Sequence, residues 1–415
     1  MIDANTSPSA PTKWYFSRGD AELYDKCPRA RYNRTILEGR GVVKVGSSFE
    51  LSLGRIVHHA IESILLNYVT KRSPQTPANT WKDPLAIGYA AEHAEDSIGE
   101  VVLNGEVPKK IPLESHAQFH KEARCLAGGL IWTWALHVLP FIEANYHIVS
   151  IEKQTAYERE WGETLMVLPT VADVVLQSKD DGSYIYPDWK TAAWVNGAWM
   201  DSWNRAAQLH TTALAVEQVL GEEVEYCYIQ ALVKGRWQNG YQQSPLCWAY
   251  QHKDTGELRY KYTAGAKWNR IAQWTTGFSM REWIENMPQE IAMNLVPRTP
   301  PIVIDRALAE TWWQQRVIKE ERIMNAKHAM DDLGVRPTME TGGTATATVG
   351  SIRTQTIMNT VFPQHFDQCS PVIGFRCDYY DICHTTTTGR DPIGSTLYRR
   401  RPTYEERCQE EGKLT

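Results

Sequence analysis

The sequence predicts an α/β fold, because helical and strand-like patterns alternate around one polar β-hairpin. Two β-rich runs, 171–177 and 184–190, flank a turn-forming stretch at 178–183. An apolar stripe with helical spacing, which includes Val57 and Tyr68, precedes the hairpin. A second helix and a further buried strand follow it, and their patterns cover 207–216 and 225–233.

The hairpin places three charged side chains on one face. The Asp181-Gly182 pair predicts a two-residue turn. With these two residues at the centre, Asp173 faces Lys190 across the strands. Because side chains alternate along a strand, Asp173, Asp188 and Lys190 share one face of the sheet.

Two neighbouring carboxylates and an ammonium group are typical of phosphodiester cleavage. Hard divalent cations such as Mg²⁺ require oxygen ligands, and Asp173 and Asp188 can hold one or two of them over a phosphate. Lys190 can orient the attacking water and stabilise the added negative charge of the transition state. The alternative is a surface hairpin whose aspartates and lysine only pair across the strands.

Two helices carry further polar residues beside apolar stripes. His58 and Glu62 lie together at the edge of the first stripe, where a histidine can also be a satisfied structural residue. In the second helix, which Gly221 closes, Gln208 and Thr212 share the polar edge.

The order Gly-x-x-x-His, Asp, Asp-x-Lys and a glutamine-led helix resembles the RecB-type branch of the PD-(D/E)XK nuclease superfamily. The resemblance implies a restriction-endonuclease-like core, in which a mixed central sheet is flanked by helices, with a helical insertion. The implied residues are the metal ligands His58, Asp173, Asp188 and the main-chain carbonyl of Trp189, and the catalytic residues Asp173, Asp188, Lys190 and Gln208. This chain has Thr170 and Thr212 where the family often has glycine and tyrosine.

Four cysteines support the same family. One lies early and three lie late in the chain, at Cys27, Cys369, Cys377 and Cys383. They look like the iron-sulfur staple of helicase-nuclease subunits and CRISPR-associated exonucleases, in which four thiolates hold a 4Fe-4S cluster that joins the N- and C-terminal segments. Seven residues separate Cys369 from Cys377, which is more than the usual spacing.

Other roles for the cysteines are weaker. A structural zinc site favours pairs of ligands two to four residues apart, a spacing that these four cysteines lack. The start of the chain has no apolar segment typical of a signal peptide, which predicts a reducing compartment and disfavours disulfides. The remaining cysteines are interpreted as small buried apolar residues, namely Cys125, Cys227, Cys247 and Cys408.

Composition is consistent with a large soluble enzyme of cytoplasmic location and no membrane association. The formal net charge of −5 does not itself indicate a nucleic-acid binder. Local basic patches could nevertheless follow phosphates, at Arg29, Arg31, Arg34 and Arg40, at Lys261, Lys267 and Arg270, and at Arg399, Arg400 and Arg401. Several of the 16 tryptophans lie in or just after the second hairpin strand, at positions 189, 194, 199 and 203, where they could stack on unpaired bases or pack in the core.

Composition shifts divide the chain into six consecutive segments. They are a flexible arm (1–12), the N-terminal cluster segment with the histidine-bearing helix (13–70), a helical insertion (71–146), the catalytic core (147–235), a mixed helical extension (236–335) and a loop with the C-terminal iron-sulfur segment (336–415). Within them we expect a linker at 71–77, helices at 85–102 and 114–145, a long charged helix at 305–331 and a surface loop at 342–348.

The sequence thus predicts a Mg²⁺- or Mn²⁺-dependent deoxyribonuclease, in DNA repair or recombination, that acts on DNA ends or single strands. Exonuclease is favoured over endonuclease by the resemblance alone. The alternatives are a non-catalytic DNA-end binding or recombination-accessory protein of the same fold, and an RNA-processing nuclease. Because the chain shows no Walker loop or helicase motif, a helicase or recombination partner protein would have to supply ATP-driven unwinding.

Overall fold

The chain forms two compact units, each assembled from separate stretches of sequence. The computed structural model describes residues 11–37, 41–44, 48–71, 84–108, 110–238, 241–259, 268–271, 277–333, 349–365, 377–384, 393–394, 396–402 and 406. Unit 1 comprises Met1–Gly46, Gln154–Thr170 and Arg306–Thr415, and unit 2 comprises Ser47–Lys153 and Val171–Asp305. The two units interleave along the chain, whereas the composition shifts divide it into consecutive segments.

Most elements belong to one unit. Strands β3 (Tyr146–Trp161) and β4 (Thr164–Ser178) each pass through both. Unit 1 contains β1 (Thr12–Tyr15), α1 (Arg18–Lys26), α2 (Pro28–Thr35), β2 (Val42–Lys44), α11 (Arg306–Asp332), α12 (Val349–Thr360), α13 (Tyr380–His384) and β13 (Tyr398–Arg400). Unit 2 contains α3 (Phe49–Lys71), α4 (Pro84–Leu103), α5 (His116–His137), α6 (Leu139–Asn145), β5 (Tyr184–Ala192), α7 (Gly197–Asp201), α8 (Ala207–Leu220), β6 (Val224–Val233), β7 (Trp237–Gln238), β8 (Tyr241–Gln242), β9 (Ala249–His252), β10 (Leu258–Arg259), β11 (Trp268–Ile271), α9 (Gly277–Glu285), α10 (Gln289–Leu295) and β12 (Ile302–Val303).

A mixed sheet lies at the centre of unit 2. Strand β4 is antiparallel to β5, β5 is parallel to β6, and β12 adds antiparallel to β6, with β3 beside β4. Leu176, Ile185 and Trp189 share one core cluster with α3, α4 and α5, whereas Val175 and Tyr186 pack against α8 on the other face. This arrangement confirms the predicted α/β class with a mixed central sheet flanked by helices.

The hairpin between β4 and β5 has a longer turn than the sequence analysis predicts. Leu176 pairs with Ile185 and Gln177 with Tyr184, so the predicted register is wrong by two residues. The Gly182 amide donates to the Ser178 carbonyl at 3.1 Å, and Gly182 has φ +77°, which together close a four-residue loop.

The longer loop changes which residues are opposite each other, but not which share a face. A shift of two residues preserves the alternation of side chains, whereas a shift of one would reverse it. The prediction that Asp173 lies opposite Lys190 is therefore wrong. Asp173, Asp188 and Lys190 nevertheless remain on the same side of the sheet, as the contacts described below show.

The other predicted elements of unit 2 are found with small changes. Helix α8 ends at Gly221, which has φ +73° and provides the left-handed residue that closes the helix. The pattern over 114–145 forms two helices, because Pro140 lies in the first turn of α6 and cannot continue α5. Within the described residues, Leu113–Asn145 is the one helical segment apolar and long enough to cross a membrane, and 72% of its most apolar window is buried, as in the core helix of a soluble protein.

Unit 1 has its own small sheets and cores. Strand β1 pairs in parallel with the first residues of β4, and β2 pairs antiparallel with β13. The long helix α11 confirms the predicted helix at 305–331 and packs on two apolar clusters, one around Phe16 and Trp313 and one around Leu37 and Phe362. The predicted arm at 1–12 and the predicted linker at 71–77 each extend one residue into a regular element, because Thr12 begins strand β1 and Lys71 ends helix α3. The rest of both segments, 1–10 and 72–77, and the predicted loop at 342–348 lie outside the described residues.

Candidate metal site

Asp173 is the central acidic residue of the site in unit 2. Its side chain is 8% exposed on β4, and its Oδ2 accepts a hydrogen bond from the main-chain amide of Trp189 at 2.5 Å. The other oxygen, Oδ1, lies 3.4 Å from Nδ1 of His58 on α3. The structure therefore brings together two of the predicted metal ligands and gives each oxygen of Asp173 a defined neighbour.

Asp188 lies on β5 with the remaining predicted residues around it. Its side chain is buried, its Oδ1 accepts a hydrogen bond from Nε2 of Gln208 at 3.3 Å, and it forms an ion pair with Lys190. Gln208 lies in the first turn of α8, which packs against this face of the sheet. The predicted residues Asp188, Lys190 and Gln208 thus form one contact group.

Burial and charge act in opposite directions on the three titratable groups. Burial would raise the pKa of Asp173, but the charge of His58 and its hydrogen bond, with Lys190 and the Trp189 amide, lower it overall. Burial raises the pKa of Asp188, and Asp173 adds to this rise while Lys190 opposes it. Burial would lower the pKa of His58, but Asp173 raises it overall.

Glu152 is a member of the site that the sequence analysis did not identify. Its carboxylate, the imidazole of His58 and the carboxylate of Asp173 each offer a ligand atom, and these atoms lie within 4.8 Å of one another. Glu152 lies on β3 with φ +44°, which is unusual for a residue other than glycine. A lone glutamate in a polar strand carries no motif, so the sequence offers no signal for it. Glu62, which shares the stripe edge with His58, instead pairs with His59 at 3.2 Å.

The donor set fits a divalent cation. Carboxylate oxygens suit Mg²⁺ and Mn²⁺, and an imidazole nitrogen beside them is compatible with Mn²⁺. The ligand atoms of His58, Glu152 and Asp173 are close enough to hold such an ion, and the predicted role of Asp188 as a further ligand stays a prediction. The main-chain amide of Trp189 donates to Asp173. The role of the Trp189 carbonyl as a metal ligand stays a prediction.

The four tryptophans near the site divide into core and surface. Trp189 is buried edge to face with Trp134, and Trp199 and Trp203 pack together at 5.5 Å against the α8 core. Trp194 is 48% exposed, and the Arg236 guanidinium lies 5.2 Å from its ring centre. Core packing, the alternative considered for these residues, therefore describes all but Trp194.

Three of the predicted cluster cysteines, Cys27, Cys377 and Cys383, belong to unit 1. Cys27 belongs to the apolar cluster between α2 and α11, and Cys377 packs against that cluster. Cys383 on α13 accepts a hydrogen bond from Nδ2 of Asn33 at 3.5 Å. Burial raises the pKa of Tyr398, and Asp381, Cys377, Asp378 and Cys383 add to that rise. Cys369 lies outside the described residues.

The remaining described cysteines are in unit 2. Cys227 and Cys247 are buried and Cys125 is partly exposed. Burial raises the pKa of Cys125 and of Cys227 to about 12, which keeps both thiols protonated. These properties agree with the predicted role of small apolar residues. Cys408 lies outside the described residues.

Much of the basic patch near the cysteines of unit 1 serves an internal ion network. Arg31 is 1% exposed and lies 2.8 Å from Glu320 and 3.3 Å from Asp20. Arg34 and Arg401 also reach Asp20, at 3.0 and 2.8 Å. These three arginines hold unit 1 together, and Arg31 is too buried to track phosphates. Arg40, Lys261 and Lys267 lie outside the described residues.

Comparisons with known proteins add little to this geometry. No protein-family model matches the chain, and no curated protein matches it. Among solved structures, one described as "Crystal structure of SSO0001" is similar at 12% identity, over 56% of this chain and 85% of the other, with a TM-score of 0.19. That TM-score is too low to support an argument about fold or function.

Proposed function

We propose that this protein is a metal-dependent deoxyribonuclease of the RecB-like PD-(D/E)XK type that hydrolyses phosphodiester bonds at DNA ends or in single strands. The observation that carries the proposal is the contact group around two buried aspartates. Asp173 meets His58, while Asp188 meets Lys190 and Gln208, so the residues of the predicted nuclease pattern are assembled on neighbouring elements of unit 2.

The residues have complementary roles in such a reaction. A bound Mg²⁺ or Mn²⁺ would polarise the phosphate and lower the pKa of a bound water. Lys190 is 26% exposed, so its ammonium can meet the negative charge that develops on the phosphate while it balances Asp188. Gln208 fixes the rotamer of Asp188 through its hydrogen bond and acts as a positioning residue.

Two buried carboxylates are costly for a protein that only binds DNA. Burial penalises the charged form of both carboxylates. At Asp173 the charge of His58, its hydrogen bond, Lys190 and the Trp189 amide more than offset this penalty, whereas at Asp188 Lys190 offsets only part of it. A phosphate-binding surface without catalysis would be served better by exposed cations alone. This charge arrangement supports a catalytic protein over a recombination-accessory protein of the same fold.

Trp194 and Arg236 support a single-stranded substrate. Trp194 follows β5 four residues after Lys190, and Arg236 follows β6, the parallel neighbour of β5. The carboxyl ends of parallel strands lie at the same edge of a sheet, so the stacked pair lies at the edge to which Asp188 and Lys190 lead. An exposed indole can stack on an unpaired base while the arginine meets its phosphate.

We further propose that Cys27, Cys369, Cys377 and Cys383 hold a 4Fe-4S cluster in unit 1. The three described cysteines lie around α2 and α13, and thiolates are the ligands that such clusters require. We assign the cluster a structural role, because the candidate metal site belongs to unit 2 and the cysteines belong to unit 1.

The proposed activity is tested with end-labelled single- and double-stranded DNA, with and without Mg²⁺ or Mn²⁺. We expect metal-dependent shortening of the labelled strand, strongest for single strands, and its loss in Lys190→Ala. An RNA substrate in the same assay separates an RNA-processing nuclease from the proposed enzyme. Metal-independent cleavage, or equal cleavage by Lys190→Ala, would contradict the proposal.

A further inference from the structure

The backbone at Glu152 has an unusual conformation in the middle of a strand. Its φ of +44° lies in the left-handed region, which costs a residue with a side chain about 1–2 kcal/mol. Such a residue persists only where its surroundings hold it, and these conformations concentrate at functional sites. In β3 this conformation interrupts the regular alternation and changes the direction of one side chain.

The redirected carboxylate is within range of two other ligands. The ligand atoms of His58, Glu152 and Asp173 lie within 4.8 Å of one another. Two ligands on opposite sides of one ion, each at about 2.1 to 2.4 Å, are themselves separated by roughly 4.2 to 4.8 Å. The three atoms can therefore bind a single ion with only small movements of their side chains.

The charges of the site give Glu152 a specific purpose. Asp173 and Asp188 each carry one negative charge when ionised, and the Lys190 ammonium balances one of them. With neutral His58, these groups leave one net negative charge to face a doubly charged cation. The Glu152 carboxylate supplies the second negative charge on the side where His58 lies.

We infer that Glu152 is a ligand of the catalytic metal ion, together with His58 and Asp173, an inference that rests on the proposed nuclease site. An imidazole nitrogen with two carboxylates favours Mn²⁺ over Ca²⁺, which prefers all-oxygen sites of higher coordination number. The left-handed backbone at Glu152 fits this role, because the carboxylate of Glu152 lies with its ligand atom within 4.8 Å of those of His58 and Asp173.

The test measures Mn²⁺ binding to the full chain by electron paramagnetic resonance, independently of cleavage. We expect Glu152→Gln and Asp173→Asn each to weaken Mn²⁺ binding by at least about tenfold. Glu225→Gln, an exposed glutamate on β6 of the same unit, should bind Mn²⁺ like the wild-type protein. A second readout is thermal stability. Glu152→Gly should melt at a higher temperature than wild type without metal, because glycine relieves the strain, and should lose most of the stabilisation that Mn²⁺ gives wild type.

The outcomes separate this inference from the proposed activity. If Glu152→Gln binds Mn²⁺ as tightly as wild type while Asp173→Asn does not, Glu152 is not a ligand and the metal site stands. If wild type takes up no Mn²⁺, the inference is overturned as well. If wild type binds Mn²⁺, loses it in Glu152→Gln and yet cleaves no DNA, the ligand is established and the nuclease function is the part that fails.

Discussion

The main-chain amide of Trp189 donates a 2.5 Å hydrogen bond to Oδ2 of Asp173, so the strand that carries Asp188 also fixes the side chain of Asp173. Trp189 itself is buried against Trp134 in the core of unit 2, which immobilises the peptide that makes this bond. The Asp173 oxygen that remains, Oδ1, is directed to His58. The acidic site is therefore preorganised by core packing rather than by loops.

The first prediction concerns the chemistry at Asp188. Asp188→Asn preserves the shape of the side chain and its contact with Gln208, but removes one of the charges that we propose to bind the metal ion. We expect DNA cleavage to fall by roughly a hundredfold or more while DNA binding changes little. Single-turnover cleavage and a filter-binding assay measure the two effects separately.

A matched control for this variant is Asp180→Asn, an exposed aspartate in the turn of the same hairpin. It should cleave DNA at the wild-type rate. Retention of full cleavage by Asp188→Asn would exclude Asp188 as a metal ligand in the reaction.

The second prediction concerns single-strand binding by Trp194. Removing the exposed ring in Trp194→Ala should weaken binding of single-stranded DNA by about 1 to 3 kcal/mol, roughly 5- to 150-fold in Kd. Trp194→Phe keeps an aromatic surface and should lose less. Fluorescence anisotropy with a labelled oligonucleotide gives both values, and a duplex without single-stranded ends is the control.

If Trp194→Ala weakens single-stranded and duplex DNA equally, the ring contributes to a general surface and not to base stacking. If it weakens neither, Trp194 lies outside the path of the substrate and the single-strand preference loses its structural support.

The sequence could predict the elements of the site because their signals are local. The hairpin runs, the helix that Gly221 ends and the stripe with His58 each follow from residue spacing. The exact register could not be predicted, because Asp181 accepts hydrogen bonds from Ser183 and stabilises a four-residue loop that competes with the two-residue turn. Glu152 could not be predicted either, since its proposed role depends on a left-handed backbone conformation, and a glutamate in a strand gives no sequence signal for that conformation.

The ion pairs of unit 1 could not be predicted from the sequence either. Arg31 and Arg401 resemble a phosphate-binding patch in the sequence, but both lie on Asp20, which is 2% exposed. Arg31 and Glu320 are 289 residues apart in the sequence, so only the tertiary structure shows that the two pair.

The third prediction concerns the proposed cluster. Anaerobically purified protein should be brown, and Cys383→Ser should bleach it and lower thermal stability. The free energy of unfolding should fall by less than the roughly 4 to 5 kcal/mol that chain entropy gives for a single crosslink closing so long a loop. The reason is that β2–β13 pairing and the Asp20–Arg401 contact already join the two ends of unit 1.

Iron and acid-labile sulfide analysis accompanies the absorbance measurement. Cys227→Ser, at a buried cysteine of unit 2, should leave colour and iron content unchanged. Absence of iron and sulfide from the anaerobic wild-type protein would exclude the cluster and leave the nuclease proposal intact.

The fourth prediction concerns the ion network of unit 1. Arg31→Leu removes the ion-pair partner of buried Glu320 and one of the three arginines that pair with buried Asp20, which should lower the free energy of unfolding by about 3 to 5 kcal/mol. Lys13→Leu removes an exposed ion pair with Glu158 and should change stability by less than about 1 kcal/mol. Urea unfolding followed by far-ultraviolet circular dichroism compares them.

Acid should weaken the same network. Burial acts to raise the pKa of Asp20, but Arg31, Arg401 and Arg34 lower it well below its ordinary value. A lowered folded-state pKa adds stability above the unfolded pKa near 4, and this stability is lost as the pH falls below it. Between pH 5 and pH 3 the free energy of unfolding should therefore fall more for wild type than for Asp20→Asn.

The last prediction concerns Glu95, a buried carboxylic acid between α4 and α5. Its Oε1 makes no hydrogen bond within the described part of the chain, and Gly128 leaves it space, since a Cβ there would lie 2.1 Å from this oxygen. Burial raises the pKa of Glu95 to about 7, against the opposing charge of Arg124 and with small additions from Asp96 and Glu92. Glu95 is therefore neutral in the folded state in mild acid and charged in mild base.

The sign of the effect follows from the raised pKa. Between the unfolded value near 4.5 and about 7, the unfolded chain loses a proton that the folded protein keeps, so stability falls as the pH rises through this window. Glu95→Gln cannot ionise and should gain up to about 3 kcal/mol relative to wild type between pH 5 and pH 8. The exposed Glu100→Gln serves as the control and should follow the wild-type profile. Parallel stability profiles for wild type and Glu95→Gln would contradict the prediction and show that the Glu95 carboxylate is solvated through the space beside Gly128. If that space is closed to water, Gly128→Ala should lower the free energy of unfolding of wild type by about 1 to 3 kcal/mol, because the added Cβ would meet the Glu95 carboxylate.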